Sequence, residues 1–349
     1  MPRELVCVAK ERLAWREYPE PALGPDEVRI QSDFSAAKHG TEMAFFKGYA
    51  HPRGAFDPAL KVFSGRAPAD PYGPGGTPVG NMTVGRVVEA GPKVESPAVG
   101  DRVLLYGHFR QSHVRRADRC WKLPPEISWQ TAVCLDPSDF ALGAVRDGHV
   151  RVGDAVAVLG MGAIGLMAVQ MARVAGARPV IASEPIASRR DLARRLGADL
   201  ALDSYGCDVG LEIKKATGGR GADVVIDYSG AAEALQDALR GVAYGGKVVA
   251  GAFPPPYGAG LDFGAESHLN VPDLVFSRAC SEPHRDAPRW NERRLFETVL
   301  GLMREGRIRG DEVVTPVVPF ETLAEEYPKI ASRPETFVKL AARYRSPDA

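Results

Sequence analysis

Cysteine is scarce and scattered: Cys7, Cys120, Cys134, Cys207 and Cys280 are odd in number and never form a CxxC pair. A disulfide framework or a four-cysteine zinc knot needs paired spacings, so both are excluded. An excess of either charge is also lacking, since 44 Lys+Arg face 44 Asp+Glu. A dedicated nucleic-acid binder neutralises phosphates with a basic surface, so no nucleic-acid partner is expected. No apolar run approaches the roughly 20 residues that span a bilayer, and no membrane association is expected. The opening MPRELVCVAKERLAW is charged where a secretory signal would be apolar, which points to a cytoplasmic location. What is present, 349 residues at 45% hydrophobic, is enough chain for two globular domains.

Two textures divide the chain. Up to about residue 135, short apolar runs alternate with Gly, Pro and Asp, as in EVRIQSDF (27–34), TVGRVVEAG (83–91) and GDRVLLYG (100–107). Near-alternate Val, Ile and Leu between turn residues describe a β-rich unit. The stretch from Gly48 to Pro78 is Gly/Pro-rich without a period, and loops of that length are usually functional. From Val150 onward strands and helices alternate: GDAVAVLG, AIGLMAVQMARVAGA, RPVIAS, IASRRDLARRLGA, ADVVIDYSG, AEALQDALRGVAYGG and KVVAGAF. Such alternation builds βαβ units on a doubly wound parallel sheet, an α/β fold. The expected division is 1–137 with 289–349 for the β-rich domain and 138–288 for the nucleotide domain. An α/β block inserted in this way implies that the two chain ends fold together.

Gly160-Met161-Gly162-Ala163-Ile164-Gly165 is GxGxxG between a buried-strand run and an amphipathic helix, the context that makes this motif a dinucleotide fingerprint. Gly160 permits the tight turn, Gly162 lets backbone approach a pyrophosphate, and Gly165 lets helix pack on strand. Free N–H groups at the helix start, including those of Ala163 and Ile164, suit phosphate oxygens. Glu184 follows Gly165 by 19 residues, where an acid accepts hydrogen bonds from the adenosine ribose. NAD is expected over NADP because Glu184 would repel a 2′-phosphate; Arg189 and Arg190 are the nearby residues that would favour NADP.

With HGTE (39–42), VGRVVEAGPKVESPAVGDRV, GMGAIG, LGAD (196–199) and VKL (338–340) in order, the chain resembles the medium-chain dehydrogenase/reductase superfamily, the zinc alcohol dehydrogenase-like proteins, over nearly its whole length. KHGTE (38–42), GNMTVG (80–85), VCLDP (133–137) and VRDGHVRVGD (145–154) resemble the D-guloside 3-dehydrogenase type within it. The resemblance implies a Rossmann NAD domain and a GroES-like catalytic domain, with the active site between them. It also implies a homodimer or homotetramer, and oxidation of a ring hydroxyl of a sugar or glycoside to a ketone at C3. Where relatives carry zinc ligands this chain has His39, Asn81-Met82 and Asp136. Zinc prefers imidazole, thiolate or carboxylate, so metal-free chemistry is favoured; a zinc, if held, would fall to His39, Asp136 and Glu42.

Without a metal, alcohol oxidation needs a hydride acceptor and a group that takes the hydroxyl proton. By family position Lys38, His39, Thr41 and Asp136 are the catalytic candidates. An imidazole titrates near neutrality, which favours His39 as the base with Asp136 orienting it; Lys38 is the rival. In a strand the two would face opposite ways. Asp139 and Lys339 are cofactor candidates, against a helix cap and a surface lysine. Glu42, Asn81 and His113 are candidates for hydrogen bonds to a polyol. The competing readings are a zinc-dependent polyol or inositol dehydrogenase, a zinc-less enoyl or quinone reductase, and a non-catalytic nucleotide-binding subunit.

Overall fold

The computed structural model describes residues 1–49, 54–65, 70–281 and 283–344. The chain divides into two compact units, Met1–Val133 with Val314–Ala349, and Cys134–Val313.

The first unit runs β1 (Arg3–Ala9), β2 (Arg12–Glu17), β3 (Glu27–Ala36), α1 (His39–Phe46), β4 (Ala55–Asp57), β5 (Val62–Ser64), β6 (Thr77–Pro78) and β7 (Met82–Ala90). It continues through β8 (Arg102–Tyr106), β9 (Ser112–Arg116), β10 (Trp121–Lys122) and α2 (Trp129–Ala132). Alternation along β3 buries Val28, Ile30 and Ser32 while their neighbours face outward, the period-2 pattern of a sheet with one buried face. The main sheet has the order β10-β8-β7-β3, and β9 also pairs with β3. A smaller sheet, β2-β1-β6, packs apolar residues such as Leu5 and Cys7 into the same core as Phe46 and Phe109. The long Gly/Pro-rich stretch contains the β4–β5 hairpin and ends in β6.

The second unit begins with α3 (Leu135–Asp147) and then β11 (Val156–Leu159), α4 (Ala163–Val174), β12 (Val180–Ser183), α5 (Ala187–Arg195) and β13 (Leu200–Leu202). There follow α6 (Val209–Ala216), β14 (Ala222–Asp227), α7 (Ala232–Gly241), β15 (Val242–Ala250), α8 (Glu266–Asn270), β16 (Asp273–Phe276) and α9 (Glu292–Arg304). Its six strands lie in the order β13-β12-β11-β14-β15-β16, and every pair is parallel. Counted from β11, that is 3-2-1-4-5-6, the Rossmann order, whose switch point lies between β11 and β14. All four residues of β11 and of β12 are buried, as strands covered on both faces require.

After α9 the chain re-enters the first unit with β17 (Val317–Pro319), α10 (Leu323–Glu326), α11 (Lys329–Ser332) and β18 (Ala341–Arg343). β18 pairs antiparallel with β3, Ala341 opposite Ala36, so the chain ends do fold together. The re-entry comes later than the sequence suggests. Residues 289–313 lie in the second unit, because α9 buries Leu295, Phe296, Val299 and Met303 and packs on α3.

Candidate active site

In the first unit the candidate residues converge on the start of α1. The opposite facing that a strand would give Lys38 and His39 does not arise, because Lys38 is the N-cap of a helix and His39 its first residue. The reason is Glu42. Its Oε1 accepts the Lys38 amide at 2.5 Å, a carboxylate reaching back over the positive end of the helix. Its Oε2 accepts the Gly80 amide at 2.9 Å and the Tyr327 hydroxyl at 2.7 Å. Glu42, read as a substrate or metal candidate, thus has both oxygens engaged within the unit.

His39 is likewise held. The Leu340 amide donates to its Nε2 at 2.8 Å, which places the ring proton on Nδ1. The next residue back, Lys339, is 2% exposed and its ammonium donates to the Ala37 carbonyl at 2.8 Å. The surface-lysine alternative for Lys339 is therefore excluded. Asn81 is fixed by its backbone, donating to Ala36 O and accepting from Gly107 N, both at 2.9 Å. Its Nδ2 is buried and has no hydrogen-bond partner. Thr41 is half-buried two residues beyond His39 in the same helix.

His113 sits elsewhere in this unit, on β9 opposite Ile30. It is 1% exposed, and neither ring nitrogen has a hydrogen-bond partner. Burial, with the Arg115, Arg110 and His108 charges adding to it, holds the imidazole well below its ordinary value. The native state therefore resists a proton that the unfolded chain accepts near pH 6.5. Above that pH both states are neutral and the group has no effect; as pH falls below it, stability is lost by up to about 1.4 kcal/mol per pH unit. We expect His113→Leu to flatten the fall in urea midpoint between pH 7.5 and pH 5.5; an unchanged slope would remove His113 as the cause.

In the second unit the glycine loop follows β11 directly. Gly160 has φ +87°, a left-handed value that glycine adopts without strain. A Cβ on Gly165 would lie 1.8 Å from the Gly160 carbonyl oxygen, whereas one on Gly162 would meet nothing within 4 Å. Gly162 is the N-cap of α4 and supplies no side-chain cap, with Ala163 and Ile164 opening the helix. Glu184, just past β12, is 4% exposed. Its Oε2 accepts the Met161 amide at 2.7 Å and its Oε1 the Ile186 amide at 3.2 Å. A carboxylate has about four acceptor sites, so Glu184 can brace the loop and still accept from a ribose. Arg190 donates to the Glu184 and Pro185 carbonyls at 2.8 and 2.7 Å and pairs with Asp203 at 2.9 Å, so its guanidinium is occupied. Arg189 precedes it in the first turn of α5.

Asp136 and Asp139 are 2% and 1% exposed on α3, three residues apart and so on one face. The helix starts at Leu135 after an N-cap at Cys134, so Asp139 is not a cap. The sequence reading passed over Asp227, at the carboxyl end of β14. Burial pushes its carboxyl up, partly offset by hydrogen bonds from Ser229 N and Oγ at 2.8 and 2.6 Å. A strand ending in Asp ahead of a glycine, VVIDYSG, was the available signal, because crevices of such sheets open at the carboxyl ends of their strands. Tyr327 and Leu340 were also missed; no local pattern marks them.

Residues 163–280 match the family model described as zinc-binding dehydrogenase. Over 350 residues the chain is 43% identical to D-guloside 3-dehydrogenase of Escherichia coli (strain K12), covering 98% of this chain and 100% of that one. It belongs to the zinc-binding dehydrogenases. As a member of this family and of the medium-chain dehydrogenase/reductase superfamily, it is an oxidoreductase. It is also 31% identical over 278 residues to (R,R)-butanediol dehydrogenase of Bacillus subtilis (strain 168), covering 71% of this chain and 75% of that one. The crystal structure of 2R,3R-butanediol dehydrogenase from Bacillus subtilis superposes with a TM-score of 0.78 at 24% identity, covering 98% and 99% of the two chains.

The zinc that the family name implies does not fit the donors at α1. His39 Nε2 is occupied by the Leu340 amide, and both Glu42 oxygens accept hydrogen bonds. Asn81 offers an amide, which zinc ligand sets do not use. Among the described residues no three His, Cys, Asp or Glu form a group able to hold a metal ion. A dinucleotide does fit the second unit: the glycine turn, the uncapped start of α4 and Glu184 match that fingerprint in chemistry and spacing. Among the described residues no helix is long and apolar enough to cross a membrane.

Proposed function

We propose that this dehydrogenase interconverts a secondary ring hydroxyl and a ketone at C3 of a sugar or glycoside with NAD, by side-chain acid–base chemistry. The observation that carries the reading is the full-length 43% identity to a protein named D-guloside 3-dehydrogenase. The polar character of the α1 turn supports it, above all the buried, unpartnered Asn81 Nδ2, a donor suited to a sugar hydroxyl.

NAD, held by Gly160, Gly162, Ala163, Ile164, Gly165 and Glu184, supplies the hydride acceptor when bound. The chain's own task is to take the hydroxyl proton. His39 would have to give up its Leu340 hydrogen bond to accept it at Nε2. We therefore assign the proton to the Lys38 amine and give His39, with its proton on Nδ1, the role of a donor that orients substrate oxygen. This reverses the preference drawn from sequence. Thr41 and Lys339 stay candidates beside the α1 turn, Asp136 and Asp139 stay candidates on α3 of the second unit, and Glu184 disfavours NADP.

β16 is the open edge of the parallel sheet, pairing only with β15 among the described strands. Phe276 and the nearby Leu269 are 72% and 73% exposed. We propose that this edge pairs two copies, a homodimer read by the mass in solution, and that the enzyme is cytoplasmic, in keeping with its few, scattered cysteines.

The functional test is NADH formation over a panel of glycosides, free sugars, inositols and simple alcohols, followed by identification of the oxidised carbon. Turnover of a glycoside with a 3-keto product, with NADP at least about tenfold poorer, is expected. Turnover confined to simple alcohols, or none across the panel, would overturn the reading.

A further inference from the structure

Tyr327 lies between α10 and α11, fully buried at 0% exposure. Its ring packs edge-on against Phe46 and Phe109, with centroids 5.6 and 6.4 Å away. A phenol in an apolar core needs a partner for its hydroxyl. Here the partner is a carboxylate: the hydroxyl donates to Glu42 Oε2 at 2.7 Å, a charge-assisted bond stronger than a neutral one. Glu42 then spans three parts of the fold. It takes Tyr327 from the C-terminal return, Gly80 from the approach to β7, and Lys38 from the start of α1.

The same C-terminal segment meets that turn three times more, through Lys339 to Ala37 O, through the Leu340 carbonyl accepting from the Ala37 amide, and through the Leu340 amide to His39. Ala37, His39 and the Glu42 that grips the Lys38 amide are thus held by a segment some 300 positions away. A plain core tyrosine would not need to end on the one carboxylate that fixes the Lys38 backbone.

We propose that Tyr327 is a positioning residue for the oxidation, acting through Glu42 to hold the Lys38–His39 turn in its working geometry. The inference rests on the reading of that turn as the proton-handling site. Small misplacements of a catalytic group cost rate rather than binding, so the effect belongs in kcat.

The test is a double-mutant cycle in the full-length protein with the best glycoside from the panel. Tyr327→Phe is expected to lower kcat about tenfold, while KM for sugar and NADH affinity change less than about twofold. Glu42→Gln is expected to lower kcat at least as much. In the Glu42→Gln background Tyr327→Phe should add almost nothing, because the two act through one hydrogen bond. Full kcat in Tyr327→Phe, effects that multiply, or a loss confined to thermal stability would each overturn the proposal. If Tyr327→Phe fails to fold, Glu42→Gln alone still decides: unchanged kcat overturns the inference, and a fall in kcat at constant KM supports it. Lys38→Met with full turnover would overturn the underlying reading instead.

Discussion

Lys38→Met is expected to lower kcat for glycoside oxidation by about 10²- to 10⁴-fold, the usual contribution of a positioned general base, if Lys38 is the base proposed above. NADH affinity is expected to stay within about threefold, since the glycine turn belongs to the other unit. Methionine preserves the aliphatic stem, and the backbone amide that Glu42 grips is untouched, so the fold of α1 is retained. His39→Asn should cost less, because in the proposed assignment the ring orients substrate and does not take the proton. Steady-state kinetics on both variants decide the assignment. If His39→Asn is the more damaging and Lys38→Met is nearly active, the imidazole is the base after all, and the Leu340 hydrogen bond must break during turnover. Restoration of Lys38→Ala by added small primary amines would identify an amine as the missing group.

The second large effect contrasts two glycines of one loop. Gly165→Ala puts a methyl 1.8 Å from the Gly160 carbonyl oxygen, inside any allowed contact. The start of α4 must then move away from β11. A loss of more than about 4 kcal/mol is expected, enough to prevent folding of the unit. Gly162→Ala meets no such obstacle: its φ is −72° and no atom lies within 4 Å of the added carbon. The apoprotein should be as stable as before or slightly more so, because alanine restricts the unfolded chain. The new methyl instead fills space that a pyrophosphate needs, so NADH affinity should fall about 10- to 100-fold. Thermal unfolding with and without NADH separates the two outcomes. A Gly162→Ala protein that binds NADH normally would mean that the dinucleotide lies elsewhere.

Much of the second unit was legible because its signals are local. The apolar run into Gly160 (153–160), the helix ending at Gly176 and Glu184 after the second strand all lie within 32 residues. The carboxylate at 184 was expected to face a ribose; that it also braces the Met161 amide could not be read from spacing. The α1 turn was half legible. Lys38, His39 and Glu42 stood out as polar residues in sequence, but helix against strand was decided by the Glu42 cap, four residues from its partner. The bonds that settle what His39 and Glu42 can do come from Leu340 and Tyr327, 301 and 285 positions away. Periodicity carries no information about pairs so distant. The late return to the first unit was obscured for a related reason: α9 has the amphipathic pattern of a helix in either unit, and only its packing on α3 assigns it.

The pairing of β18 with β3 also sets an order of events during synthesis. Residues 134–313 form one uninterrupted stretch of chain, able to collapse as soon as it has left the ribosome. The β-rich unit has no such freedom, since its sheet and the grip on residues 37 to 39 await a segment translated some 300 residues later. Closing so long a loop is slow. A nascent chain would therefore acquire its Rossmann fold well before the turn at residues 37 to 39 is built.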